Sequence, residues 1–196
     1  MKMRFLLVPV TWLALALPAA AEKLSLAAVS KYLNDLQRAK GVITQINSDG
    51  SISTGTLMIR RPGRMRFEYD PPEQTLVVVG GGEVAIFDKK SNIGPDRYPL
   101  KRTPLSIILA RNVDLTRARM VTGHSYDGTA TIITAQDPDN PDYGNIQLKF
   151  TDNPIELRQW VVNSDDGSST TVILGEMDRS ASLPNGLFNI QALLNQ

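Results

Sequence analysis

The sequence predicts a mainly β protein: one antiparallel sheet with two short helices laid over its apolar face. Almost every segment after Gly41 alternates in polarity or is rich in β-branched residues. Short turn signals separate these segments: Asp49-Gly50, Gly80-Gly81-Gly82, Asp127-Gly128 and Asp166-Gly167. Links this short suit hairpins, because a parallel crossover needs about a dozen residues or more. Beyond the N-terminal leader, two stretches, beginning near Ser25 and Thr103, repeat apolar residues at helical spacing.

The first element is that leader. Lys2 and Arg4 flank the start of a largely apolar run at residues 5–17, and Pro18 leads to an Ala19-x-Ala21 site before Glu22. The pattern is that of a cleaved secretory signal over residues 1–21, since a spanning helix needs about 20 apolar residues. Residues 22–196 are then a single domain. The chain has no cysteine, so core packing alone must hold an exported protein together, and no processing-site cysteine can carry a lipid. A soluble periplasmic monomer is expected.

A helix opens the mature chain. Ser25 suits an N-cap, Leu26, Val29, Leu33 and Leu36 form one apolar stripe, and Gly41 is expected to end it. Strands are expected at 42–47, 52–60, 65–69, 75–79, 84–87, 117–122, 129–135, 146–151, 157–163 and 170–177. Between the fifth and sixth, "TPLSIILARN" (103–112) reads as a second helix. Thr103 can cap it, Pro104 suits its first position, and Leu105, Ile108 and Leu109 share a face. Ile107 makes this helix apolar around most of its circumference. In a single-sheet protein such a helix must cover something apolar, and with the first helix it makes a lid.

Composition removes several function classes. Without Lys2 and Arg4 the chain carries 19 basic and 20 acidic residues, a formal net charge of −1, far from the basic balance that nucleic acid favours. The single histidine, His124, stands in "TGHSYDG", a strand running into a turn, with no converging partner evident. Asp137, Asp139 and Asp142 hint at calcium, yet position 12 of such a loop would be Leu148 rather than glutamate. No catalytic residue, metal or cofactor is expected, and the protein is read as not an enzyme.

The stretch "RRPGRMRFEYDPP" (60–72) resolves by parity. Leu57, Ile59 and Arg61 share one face of a strand. After the Pro62-Gly63 turn, Met65, Phe67 and Tyr69 share one face, with Arg64, Arg66 and Glu68 on the other. Most of these arginines read as the solvated side of an amphipathic hairpin. Arg61 alone follows the apolar side.

Taken together, the leader, the first helix, "GTLMIRRPGRMRFEYDPP", "TPLSIILARN" and the closing "LFNI" resemble the outer-membrane lipoprotein carrier family (LolA-like). The resemblance implies an incomplete (half-open) antiparallel β-barrel with a lid of short α-helices over an apolar cavity. It also implies a periplasmic carrier, or chaperone, that shields the acyl chains of lipoproteins. Such a carrier takes them from an inner-membrane ABC lipoprotein-releasing transporter to an outer-membrane receptor or to the outer membrane itself. The family's motif arginine maps onto Arg61, as a lid-tethering residue. The acyl-chain cavity is expected to be lined by Leu57, Ile59, Met65, Phe67, Tyr69, Leu76, Val78, Ile86, Leu105, Ile108, Leu109 and Trp160. A lipoprotein-sensing or apolar-ligand-binding module of the same fold is the alternative. A lipid hydrolase would need a nucleophile and base that the sequence does not offer.

Overall fold

The computed structural model describes residues 22–88, 90 and 93–195. The expected signal, residues 1–21, lies outside them. The strands are β1 (Arg38–Ile46), β2 (Ile52–Arg60), β3 (Arg64–Tyr69), β4 (Leu76–Gly80), β5 (Glu83–Phe87), β6 (Asp96–Pro99), β7 (Val121–Tyr126), β8 (Thr131–Gln136), β9 (Asn145–Thr151), β10 (Glu156–Asn163) and β11 (Ser169–Asp178). They form one antiparallel sheet in the order β6-β5-β4-β3-β2-β1-β11-β10-β9-β8-β7. Every neighbouring pair except β1–β11 is consecutive in sequence, so two meanders are joined by pairing the first strand with the last. Strands β6 and β7 are left as edges, and the barrel is half open, as the family resemblance implies.

Among the described residues three short α-helices accompany the sheet: α1 (Leu26–Asp35), α2 (Leu105–Leu109) and α3 (Ile190–Leu194). Ser25 caps α1 by accepting from the Ala28 N–H at 3.1 Å, and Val29, Leu33 and Leu36 are buried against the sheet. The helix stops at Asp35 rather than at Gly41. Gly41 lies instead within β1, where a Cβ would collide with the Glu176 carbonyl of β11, so this glycine serves close strand approach. Thr103 does not cap α2, because its hydroxyl donates to the Leu100 carbonyl of the preceding 3-10 turn, Leu100–Arg102.

Besides β1, which begins at Arg38 rather than at residue 42, two strands depart from the sequence reading. Residues 117–120 lie in two successive turns: one built on Asp114, whose carboxylate accepts from the Thr116 N–H and hydroxyl, and one closed by the Val121 N–H on the Ala118 carbonyl at 3.0 Å; the strand begins at Val121 and runs through Gly123 and His124. A glycine inside a strand reads as a break, and here a Cβ would press on the Thr134 side chain at 3.1 Å. Strand β6 has no counterpart in the sequence reading. It is four exposed residues ending in proline, an edge with no apolar alternation to betray it.

The core lies on one face, between the sheet and the pair α1 and α2. Leu57, Ile59, Met65 and Phe67 of β2–β3 meet Ile133, Ile146, Leu148, Phe150 and Trp160 of β8–β10 there, and Ile107, Ile108 and Leu109 close it from above. The opposite face of β2–β5 is covered as well. A C-terminal strap, comprising the 3-10 turn Asn185–Phe188 and α3, sets Leu183 and Phe188 on Met58, and Ile190 on Val78 and Ala85.

Candidate functional site

The geometry of interest is where α2 meets the turn between β2 and β3. Helix α2 has five residues, too few to persist alone. It is held by burial of Ile107, Ile108 and Leu109, each worth about 1.5–3 kcal/mol, and by a short set of polar ties. The Gly63 N–H donates to the Leu109 carbonyl at 2.9 Å, and Arg61 Nη2 donates to the Ala110 carbonyl. Arg61 is only 5% exposed. Its Nε and Nη1 have no hydrogen-bond partner among the described residues, and burial pushes the guanidinium pKa below its ordinary value. A buried donor without an acceptor costs about 1–3 kcal/mol.

Further ties come from α1, and sequence reasoning missed them. Asn34 pairs with the Val113 backbone in both directions, Nδ2 to O and N to Oδ1, each at 2.9 Å. Ser30 is buried because its hydroxyl accepts from the Leu115 N–H at 2.9 Å and donates to the Leu26 carbonyl at 2.6 Å. The available signal was a pair of short polar side chains at i and i+4, flanking the apolar stripe of a helix. Residues before α1 are anchored too. The Leu24 N–H donates to the buried Thr131 hydroxyl at 2.8 Å, and His124 Nε2 lies 2.8 Å from the Leu24 carbonyl. A carbonyl only accepts, so Nε2 carries the proton, and His124 acts as a clasp on the N-terminal segment.

Of the residues expected to line a cavity, Leu57, Ile59, Met65, Phe67, Ile108, Leu109 and Trp160 meet in one cluster, with Tyr69 and Leu105 half-buried against it. The Phe67 ring stands edge-on to Trp160 at 6.1 Å and stacks with Tyr69 at 6.3 Å. Tyr69 donates to Gln45 Oε1 at 2.6 Å; burial, aided by the nearby Glu73 carboxylate, pushes its pKa up to about 12. Leu76 and Val78 are corrections. They lie on the other face, with Ala85, Phe87 and Ile190, while Val77 and Val79 point to the lid side. Strand β4 is covered on both faces and apolar at every position from Leu76 to Val79, so alternation could not assign its parity. Ile86 pairs with Val77 and is half-buried at the margin.

Beneath α1 and α2 the lid-side side chains are buried in one apolar cluster. An open cleft of about 290 Å³ lies beside α2 instead, lined by Ile107, Ala110, Val113, Leu115 and Met120 with Asp114 and Arg117 among its polar members. The expectation that Arg60 and Arg66 are solvated also needs correction. Arg60 donates to the Leu183 carbonyl. Arg66 donates to the Leu187 carbonyl at 2.9 Å and pairs with Glu68 at 2.6 Å. Arg64 stays half-exposed, lining an open cleft with Phe188 and Ile190. The strap that covers Arg60 and Arg66 joins the sheet from more than a hundred residues away, beyond the reach of hairpin parity. Among the described residues no group of three or more His, Cys, Asp or Glu side chains could hold a metal ion; Asp137 instead accepts from the Asp139 N–H at 2.9 Å within its own loop.

The family described as "Outer membrane lipoprotein carrier protein LolA" matches residues 34–191, from Asn34 in α1 through Arg61 and α2 to the start of α3. The chain belongs to the LolA family. An outer-membrane lipoprotein carrier protein of Azotobacter vinelandii is 22% identical over 182 residues, covering 89% of this chain and 87% of that one. One from Cupriavidus pinatubonensis is 24% identical over 185 residues, covering 88% and 84%. A putative outer membrane lipoprotein-sorting protein domain from Vibrio parahaemolyticus shares the fold, with a TM-score of 0.52 at 10% identity over 89% of this chain and 98% of that one. This LolA-family chain thus keeps the family's half-open sheet at low identity, with Arg61, α2 and the last two residues of α1 inside the matched region.

Proposed function

We propose that this protein is a non-catalytic periplasmic carrier of acylated lipoproteins. An acyl chain costs about 0.8 kcal/mol per CH₂ exposed to water, so a lipoprotein cannot cross an aqueous space without an apolar shelter. The shelter must also release it. The observation that carries this reading is the lid: a five-residue apolar helix, resting on flexible aliphatic side chains and tied down at the β2–β3 turn by Gly63 and Arg61. Lifting such a helix exposes Leu57, Ile59, Met65 and Phe67, and an acyl chain laid against them restores apolar packing of the same kind. Few polar groups on that face demand a specific partner, so diverse acyl chains fit. Family membership supports lipoproteins as the cargo, an inner-membrane ABC transporter as donor, and an outer-membrane receptor or the outer membrane itself as acceptor. The leader at residues 1–21 supports the periplasm as the compartment.

Mass spectrometry of material co-purified with the protein from an envelope extract tests the reading. Acylated lipoproteins should be enriched over a control exported protein. A preparation free of them, or one that turns over ester substrates, would sink it.

A further inference from the structure

Arg61 follows Leu57 and Ile59 onto the lid face, yet one nitrogen does all its bonding. Nη2 donates to the Ala110 carbonyl and has Asn34 Oδ1 at a long 3.5 Å. Nε and Nη1 are buried without an acceptor among the described residues. Asn34 has little more to offer, because the Val113 backbone occupies both ends of its amide. Holding the lid needs only one donor. A guanidinium brings several in a rigid plane, and buried donors in folded proteins are as a rule satisfied.

We infer, on the basis of the carrier reading, that Arg61 receives the ester carbonyl oxygens at the head of the cargo's acyl chains. It donates to Ala110 when the chamber is empty and to the ester carbonyls when lipid lifts the lid. The chemistry is complementary, since an ester carbonyl only accepts and a guanidinium only donates. The positions match as well. An ester marks the boundary between hydrocarbon and polar head, and Arg61 stands between the apolar cluster of Leu57, Ile59 and Phe67 and the turn at Pro62-Gly63. One side chain then biases both states. It selects lipids bearing ester carbonyls over bare hydrocarbon, and its return to Ala110 helps close the emptied chamber.

The test uses two diacyl lipopeptides with identical chains, one with glyceryl esters and one with ethers in their place. Binding is read from Trp160, the single tryptophan outside residues 1–21, in the wild type, Arg61→Leu and Arg61→Lys. The wild type should prefer the ester by about tenfold, the scale of a hydrogen bond to a charged group. Arg61→Leu should bind both alike, and Arg61→Lys should recover part of the preference. The infrared band of a ¹³C-labelled ester carbonyl should move to lower wavenumber on the wild type and not on Arg61→Leu. Binding of the ether compound confirms that the leucine variant is folded. Equal affinities in the wild type, or a preference that survives in Arg61→Leu, would overturn the assignment while leaving the carrier reading intact. Failure of both lipopeptides to bind the wild type would remove both. An Arg61-dependent preference for a free fatty acid over the ester would give the site to a carboxylate instead.

Discussion

Two covers lie on this sheet, one on each face, and arginines of the same hairpin pin both. On the outer face, Arg60 and Arg66 donate to the Leu183 and Leu187 carbonyls of the C-terminal strap. On the lid face, Arg61 donates to the Ala110 carbonyl at the end of α2. The difference lies in what surrounds each charge. Arg66 engages two of its nitrogens, one with Glu68, and the strap backbone fits so closely on Gly80 that a Cβ there would collide with the Phe188 carbonyl. Arg61 is buried, engages one guanidinium nitrogen and makes no ion pair among the described residues. On the carrier reading, the same residue type makes a clamp on one face and a latch on the other. Electrostatic completeness, rather than the presence of an arginine, separates the two.

The largest expected effect comes from breaking what lies under the latch. Phe67→Glu places an unpaired carboxylate in the main cluster and should cost about 3 kcal/mol or more in urea unfolding; a loss below about 1 kcal/mol would show that Phe67 is not sealed beneath the lid. On the outer face, Gly80→Ala should cost about 1–3 kcal/mol through the clash with Phe188, with NMR shifts confined to α3 and the strap. Shifts in α2 of the same size would mean that the covers are not independent.

A sharper contrast exchanges the arginines one at a time. Arg66→Leu should destabilise by about 1 kcal/mol, because a nearly satisfied cation is lost and the Leu187 carbonyl is left without its donor. Arg61→Leu should leave stability unchanged or slightly raised, since an under-satisfied buried charge is replaced by apolar volume. Equal losses would erase the distinction between clamp and latch. The smallest effect concerns Tyr69, at the far end of the same face from Arg61. Its folded pKa of about 12 lies above the unfolded value near 10, so its contribution is complete below pH 10 and is lost as pH rises from 10 towards 12. At pH 10 the loss is about 0.4 kcal/mol. Tyr69→Phe should remove that slope from a plot of stability against pH.

Local chemistry made much of the fold readable. Ser25, the Asp-Gly turns and the alternation in β2 and β3 each state their conformation within a few residues, and Leu57, Ile59, Phe67 and Arg61 took their face from that alternation. What could not be read depended on distant chain. Leu76 and Val78 turned outward because α3 covers β4 from a hundred residues further on. Arg60 and Arg66 left solvent for the same strap, and Ser30 and Asn34 are explained only by the backbone of Val113 and Leu115. Gly41 was misread because a glycine needed for close approach across strands looks, in one dimension, like a helix stop. Parity fails where both faces are buried, and β4 is such a strand.

The central claim is that the lid face opens for lipid while the outer face stays closed. Because the chain has no cysteine, paired spin labels can be introduced cleanly. Arg111→Cys with Arg158→Cys reports the lid against β10, and Gln191→Cys with Asp96→Cys reports the strap against β6; all four positions are exposed. Electron–electron double resonance on empty and diacyl-lipopeptide-loaded protein should show the lid distance lengthening on loading, by several ångströms, and the strap distance unchanged. A lid distance that stays fixed in fully loaded protein, or a strap that moves as far as the lid, would contradict the account.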